Sequence, residues 1–410
     1  MKITARNQEI KNYIIYLSIL SLVVILRRPD AILHPELWAE DGVLWYTQAY
    51  NSGFLSLFMP ENGYLQTISR IAALVAQPFP IYYVPYIFAV FAFCAQMIPV
   101  ALLLSRRFDS IIPDKKIRII ISIIYVLMPN SYEVNMNLTN AQWHLALVLF
   151  LLLVGNSQKR YNISDYMLMV VAGLSGPFSV LLSPVAMIEW YRNKFSGDYL
   201  RYVIALSCAV VQAVFIVASM MQTRSTESLG ASMDNFVHII VNNIFVGGLL
   251  GNVENLLQKA LVGNYYAVFA FFSIILVLAF FRGPLAYKEF SLFSLCVILS
   301  ALISPMISLT EPQWPLMAIF GIGDRYYVIP IISMLVGFVV LSADRNVILK
   351  SIGRFLLVSM LCAVPFNFSY PDYVRTGFYK EAMYFAGAPR GTVVKFDENP
   401  IGWNFSLAKK

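Results

Sequence analysis

Charge is scarce in this chain. Asp, Glu, Lys and Arg make up 13% of its 410 residues and apolar types 59%, where soluble domains run about a quarter charged and half apolar. A soluble globular fold is thereby excluded. Histidine and cysteine are scarcer still. His34, His144 and His238 are scattered without ligand spacing, and Cys94, Cys208, Cys296 and Cys362 all fall inside apolar runs, where a thiol behaves as a small hydrophobe. Neither a metal cluster nor a disulfide framework is indicated. No internal repeat is visible. There is also no basic stripe interleaved with aromatics, so the net charge of +7 reads as loop topology rather than as a nucleic-acid surface. The apolar runs hold essentially no acids or bases, whereas ion-coupled transporters usually carry such groups at depth.

What is present is a succession of apolar runs of span length, separated by short clusters of Lys, Arg, Pro and Asn. The pattern predicts an all-α polytopic membrane protein with about 9 to 11 transmembrane helices. Lys2, Arg6 and Lys11 precede the first run, Tyr13–Leu26, which ends in "LRRPD" and not in the small residues of a cleavage site. An uncleaved first span with a cytoplasmic N-terminus is expected. Basic loops orient the rest: residues 27–80 form a first outer loop, "RRFDSIIPDKKIR" lies inside, "PNSYEVNMNLTNAQWH" outside and "NSQKR" inside. Further spans are expected near 81–105, 117–129, 143–155, 201–221, 264–281, 289–308, 326–342 and 355–368.

The stretch 166–190 has basic residues on both flanks and Gly173, Ser175, Gly176 and Pro177 at its centre, where they weaken a straight helix. Two half-helices in a re-entrant hairpin are expected, a break tolerated at depth only where protein or a polar cavity covers it. One kinked span is the alternative, and it would invert everything downstream. Residues 222–262 read as an outer loop carrying an interfacial amphipathic helix. Residues 1–369 thus form one transmembrane domain, and 370–410 an outer tail.

Chemistry is expected at the outer rim. The first loop carries "PELWAEDGVLWYTQAY", with Glu40 and Asp41 adjacent. Neighbours on a regular helix diverge by about 100°, so only one of the two is expected to act as a base. A carboxylate near an apolar rim has a raised proton affinity and suits proton abstraction from a hydroxyl; equally, both acids could cap the short helix that follows. The same loop adds Glu61 and Tyr64 in a turn, then Arg70. "GIGDRYYVIP" adds Asp324, Arg325 and Tyr326. Two arginines at a membrane interface either bind a phosphate or snorkel to headgroups. Asn140, Gln142, Trp143 and His144 in "NLTNAQWHLAL" suit hydroxyl recognition and sugar stacking, or form an aromatic belt with polar caps. In the tail, Lys395 and Trp403 either cover a substrate or anchor the segment.

Taken together, "WAEDG", "ENGYLQTISRIAA", "NLTNAQWHLAL", "GLSGPFSVLLSP", "GDRYYVIP" and "NPIGWNFSL" resemble the GT-C class of membrane glycosyltransferases. Within it they look most like the serotype-converting glucosyltransferases of phage and bacterial O-antigen modification clusters. The resemblance implies a GT-C-like bundle in a bacterial inner membrane, with a periplasmic active site. It implies sugar transfer, often of glucose, from a polyprenyl-phosphate donor to a hydroxyl of a lipid-linked O-antigen repeat, with inversion and without nucleotide or obligatory metal. Asp41 or Glu40 would then be the base, Arg70 and Arg325 would hold the donor phosphate, and Glu61, Tyr64, Asn140, Gln142, Trp143, His144, Asp324, Tyr326, Lys395 and Trp403 would line the substrate. A separate donor synthase and a flippase would be partners. A flippase or exporter of lipid-linked sugar, or an O-antigen polymerase, is the competing reading. A polymerase should carry an Arg-rich late outer loop, and 222–262 has only Arg224 and Lys259 as basic residues.

Overall fold

The computed structural model describes residues 2–155, 161–193, 198–219, 227–251 and 263–410; Arg224 and Lys259 lie outside them. The fold is mostly helical, and among the described residues eight helices are long and apolar enough to cross a membrane, the make-up of a polytopic membrane protein. The helices are α1 (Lys2–Arg27), α2 (Thr67–Ala76), α3 (Val84–Leu104), α4 (Lys115–Leu127), α5 (Ala141–Val154), α6 (Ile163–Gly173), α7 (Phe178–Arg192) and α8 (Leu200–Ser219). They continue with α9 (Met233–Leu250), α10 (Tyr265–Arg282), α11 (Leu285–Ile303), α12 (Val328–Ser342), α13 (Val347–Ala363) and α14 (Phe378–Gly387), and a C-terminal hairpin of β1 (Val393–Glu398) and β2 (Trp403–Ala408).

Polar contacts sort the helix termini into two ends. At the basic end, Arg106 pairs with Glu9, joining the start of α1 to the end of α3. Arg282 lies 3.7 Å from Asp344, joining the end of α10 to the α12–α13 loop. At the acidic end, Arg27 Nη1 donates to Val126 O (2.7 Å) and Met128 O (3.2 Å), and its Nη2 to Asn367 O (3.2 Å). Arg28 lies between the rings of Tyr132 and Tyr373, 4.5 and 3.9 Å away. These two arginines sit among the acids without breaking the charge sorting of loops. They are enclosed and satisfy backbone carbonyls at the helix ends.

Helix α5 is the axis of the bundle, buried at every position. It and α4 have 14 and 13 residues, about 20 Å of helix, close to the spans expected at 143–155 and 117–129 and short of a hydrocarbon core of about 30 Å. The rest of the path is irregular polar backbone covered by protein, the only setting in which such backbone is tolerated at depth.

Helices α6 and α7 fold back on each other. At the start of α6, Tyr161 N donates to Asp198 (2.9 Å) and Tyr166 OH reaches the same carboxylate (2.7 Å). At the end of α7, Asn193 donates to Tyr202 OH (2.8 Å). Both outer ends of the pair therefore meet the beginning of α8, where one kinked span would put them at opposite ends. The turn at 174–177 is made by Gly176 (φ 90°) and Pro177. It meets Gln212, about 15 Å further along α8. Gln212 Nε2 donates to Gly176 O (2.9 Å) and Leu65 O (3.1 Å), while its Oε1 accepts from Leu65 N (2.9 Å). One buried glutamine thus ties the hairpin tip to the first loop.

Helix α9 has the length and apolarity of a span, yet both its ends attach to the acidic end. Asp234 bonds Tyr266 at the start of α10, and Leu250 O accepts from Asn367 (2.9 Å) after α13. Midway, Asn243 O accepts from Asn130 (3.0 Å). It lies across the bundle's shoulder rather than through it. The portion of the expected amphipathic segment at 252–262 is outside the described residues. Finally, α14 packs over the β-hairpin, with Phe396 facing Phe405. Asn399 N donates to Leu37 O (3.0 Å), and Asn399 O accepts from Ala39 N, docking the tail on the first loop.

Candidate active site

The "WAEDG" segment is held in a bent conformation. Ala39 has φ +49°, a region that costs a non-glycine residue about 1 kcal/mol or more and persists where the surroundings enforce it. Here the enforcing contacts are the Asn399 bonds to residues on both sides of Trp38. A π-helical turn, Asp41–Tyr46, follows, so the two acids leave the backbone at the mouth of a helix and not along one of its faces.

The neighbours take different environments. Asp41 is buried: Oδ2 accepts from Trp38 N (3.1 Å) and Oδ1 from Thr139 Oγ1 (3.0 Å). Thr139 in turn accepts from Trp45 Nε1 (2.9 Å). Burial pushes the Asp41 carboxyl up to about 7, against the pull of those two bonds. Glu40 is partly exposed. Burial raises its proton affinity, Arg325 lowers it, and Glu61 and Glu133 raise it. Asp41 is therefore committed to the scaffold, and Glu40 faces the charged groups.

Those groups come from three places. Asn62 (φ 52°) and Gly63 (φ 85°) make a tight reverse turn, as Asn-Gly favours, which pairs Glu61 with Tyr64. Burial raises the Glu61 carboxyl and Arg70 pulls it back. Arg325 Nη1 donates to Glu133 (2.9 Å) and Nη2 to Met306 O (2.9 Å); its ion-pair partner is Glu133, not the adjacent Asp324. Tyr326 lies under the Arg325 guanidinium at 4.9 Å and meets Trp143 edge-on at 5.8 Å. Trp143 also packs on Phe178, at 4.7 Å, just past the hairpin tip. Several polar atoms here, Trp143 Nε1, Gln142 Oε1 and Asp324 Oδ1, together with Arg70 Nε and Nη2, are enclosed without a hydrogen-bond partner, an arrangement that needs a reason.

Other expected site residues are placed differently. Arg70 is fully enclosed, with Nη1 donating to Gln48 (2.7 Å) and the Trp45 ring 5.0 Å away. It braces the loop from within and presents no surface to a phosphate. His144 is buried, one ring nitrogen 2.7 Å from Tyr125 OH and the other 2.8 Å from Val134 O, so it has no nitrogen left for a substrate. Asn140 donates to Glu133 O (2.9 Å) and its backbone is held by Asn137 (3.1 Å); it shapes the loop. Lys395 points to solvent 3.6 Å from Asp397, and Trp403 is exposed at the start of β2. Neither is brought to the acids.

Glu398, not anticipated from the sequence, is brought there. It is buried on β1, its carboxylate accepting from Gly42 N (2.8 Å) and Val43 N (3.1 Å), two of the donors that a helix start leaves free. Burial and the nearby Asp41 push it up to about 8. A Cβ on Gly42 would lie 2.2 Å from Phe405 and 2.5 Å from Glu398, so only glycine admits the tail this close. Among the described residues, no group of three or more His, Cys, Asp or Glu is arranged to hold a metal ion.

Comparison with family models, with curated proteins and with solved structures finds no match.

Proposed function

We propose that this chain is an inverting glycosyltransferase that moves a sugar, glucose in the simplest case, from a polyprenyl-phosphate donor to a hydroxyl of a lipid-linked polysaccharide at the acidic end of the bundle, facing the periplasm. The observation that carries the reading is the division of labour at the adjacent acids. Asp41 is locked into the scaffold, while Glu40 is presented with raised proton affinity toward Arg325. In this reading the acceptor O–H gives its proton to Glu40, and its oxygen bonds to the anomeric carbon from the face opposite the phosphate. The bond from that carbon to the phosphate oxygen breaks, and polyprenyl phosphate departs with the electron pair. Arg325 is placed to stabilise the charge that develops on the leaving phosphate. Tyr326, partly exposed beside Arg325, offers a ring to the sugar, with Trp143 packed edge-on behind it. Arg70 acts from behind, holding Trp45 and Glu61.

The test is transfer from labelled polyprenyl-phosphate glucose to lipid-linked O-antigen in membranes. Glu40→Gln is expected to lose turnover by about a hundredfold or more at unchanged expression, and Asp41→Asn to lose far less. Were the wild type to transfer nothing while the purified protein moved the lipid across a bilayer, the flippase reading would replace this one.

A further inference from the structure

At the basic end, remote from the acids, α3 and α4 diverge from α11 and α12 over the floor made by α5. They leave a cavity of about 780 Å³, within the range of pockets that bind small molecules. Its walls are apolar, with Leu103, Ile117, Leu147, Phe290 and Val336 among the lining residues. At its deep end stands Tyr125, whose hydroxyl is already bonded to Gln96 O (2.9 Å) and His144 (2.7 Å). At its mouth stand Asp114, Arg282, Asp344 and Arg345.

A space of this size, if unfilled, would leave its lining atoms without dispersion partners. Water is a poor filling, because each molecule needs two to four polar contacts and the walls provide almost none. The fitting occupant has an apolar tail and a head that stays at the mouth. The charge of that head follows from the mouth's own pairing. Asp114 accepts from Lys116 N (2.8 Å), and Asp344 accepts from Asn346 N (2.7 Å) while lying 3.7 Å from Arg282. Arg345 is exposed and has no carboxylate within ion-pair distance among the described residues. Arg282 and Asp344 pair with each other, which leaves Asp114 and Arg345 at the mouth without an ion-pair partner among the described residues; of these the planar guanidinium is the group suited to a phosphate. We propose that a phospholipid of the leaflet at the basic end binds here, one acyl chain in the cavity and its phosphate at Arg345 beside Arg282. This site does not depend on the glycosyl-transfer reading of the other end.

The full chain, reconstituted with phosphatidylglycerol bearing a photoactivatable group in its acyl chain, tests the site by mapping the labelled residues. Labelling is expected at 117–125 and 332–340, above that at Ile274 and Val277, which face outward on α10. Val336→Trp, which fills the cavity, should reduce it to the Ile274 level, with Val340→Trp as a second filling should the first fail to fold. Arg345→Ala should weaken it about fivefold at equal lipid, the effect of one lost surface charge. Labelling no higher than at Ile274, or unchanged when the cavity is filled, would overturn the proposal. Labelling indifferent to Arg345 would remove the phosphate from it.

Discussion

Two adjacent acids ended in different environments because the backbone that leads into them is not a regular helix. Ala39 turns the chain into the left-handed region, so Asp41 swings inward to Trp38 N and Thr139 while Glu40 stays at the rim. Adjacency alone shows that the pair needs separating; which acid goes inward depends on Asn399 and Thr139, about 360 and 100 residues away, and no local pattern reports that. His144 teaches the converse. Beside Trp143 it has the look of a substrate group, yet both ring nitrogens are spent on Tyr125 and Val134. The Asp41 carboxyl, raised from 3.8 to about 7, and that of Glu398, raised from 4.5 to about 8, give a pH dependence of stability. Both folded-state values exceed the unfolded ones, so the folded chain holds protons that the unfolded chain releases. Their contribution is full below about pH 4 and is lost as pH rises through 7 to 8. Thermal unfolding in detergent should therefore fall in midpoint between pH 5 and pH 8, and Asp41→Asn should flatten that fall. An unchanged slope in the variant would mean that Asp41 is ionised throughout.

At the scale of elements, the hairpin and the first-loop turn were legible because glycine and proline write their geometry locally: Gly176 and Pro177 break a run too apolar to end otherwise, and Asn62-Gly63 makes the turn that sets Glu61 against Tyr64. The tail was not legible. Its aromatic and charged residues suggested Lys395 and Trp403, yet in a two-residue alternation the inward side is Val394, Phe396 and Glu398, and the expected pair points out. Glu398 matters because it serves donors of another element 355 residues away. Glu398→Ala should leave Gly42 N and Val43 N buried and unpaired, weakening the site loop by about 2 kcal/mol. Amide exchange over residues 38–46 should accelerate about thirtyfold, with Glu398→Gln restoring part of the protection through its remaining acceptor. Unchanged exchange in Glu398→Ala would show that the tail rests on the loop without holding it.

For the whole molecule, the sorting of charge ties the fold to its orientation. Arg106, Lys116, Arg118, Arg282, Arg345 and Lys350 gather at one end, and Glu36, Glu40, Glu61, Glu133, Asp324 and Glu398 at the other. The bias of cytoplasmic loops toward Lys and Arg is the ground for proposing that the basic end faces the cytoplasm and the acids outward, where the proposed transfer needs them. The hairpin is the hinge of this assignment, since a single crossing at 163–192 would reverse every helix after it. A membrane-impermeant thiol reagent on intact membrane vesicles of known orientation reads both points, in a background where Cys94, Cys208, Cys296 and Cys362 are replaced by alanine. Lys116→Cys, Ile163→Cys and Tyr191→Cys should react from the cytoplasmic face, Glu311→Cys and Ile401→Cys from the opposite face. Reaction of Ile163→Cys and Tyr191→Cys from different sides would convert the hairpin into a crossing. The acids of the first loop and Arg325 would then face different compartments, and the shared site would be lost with them.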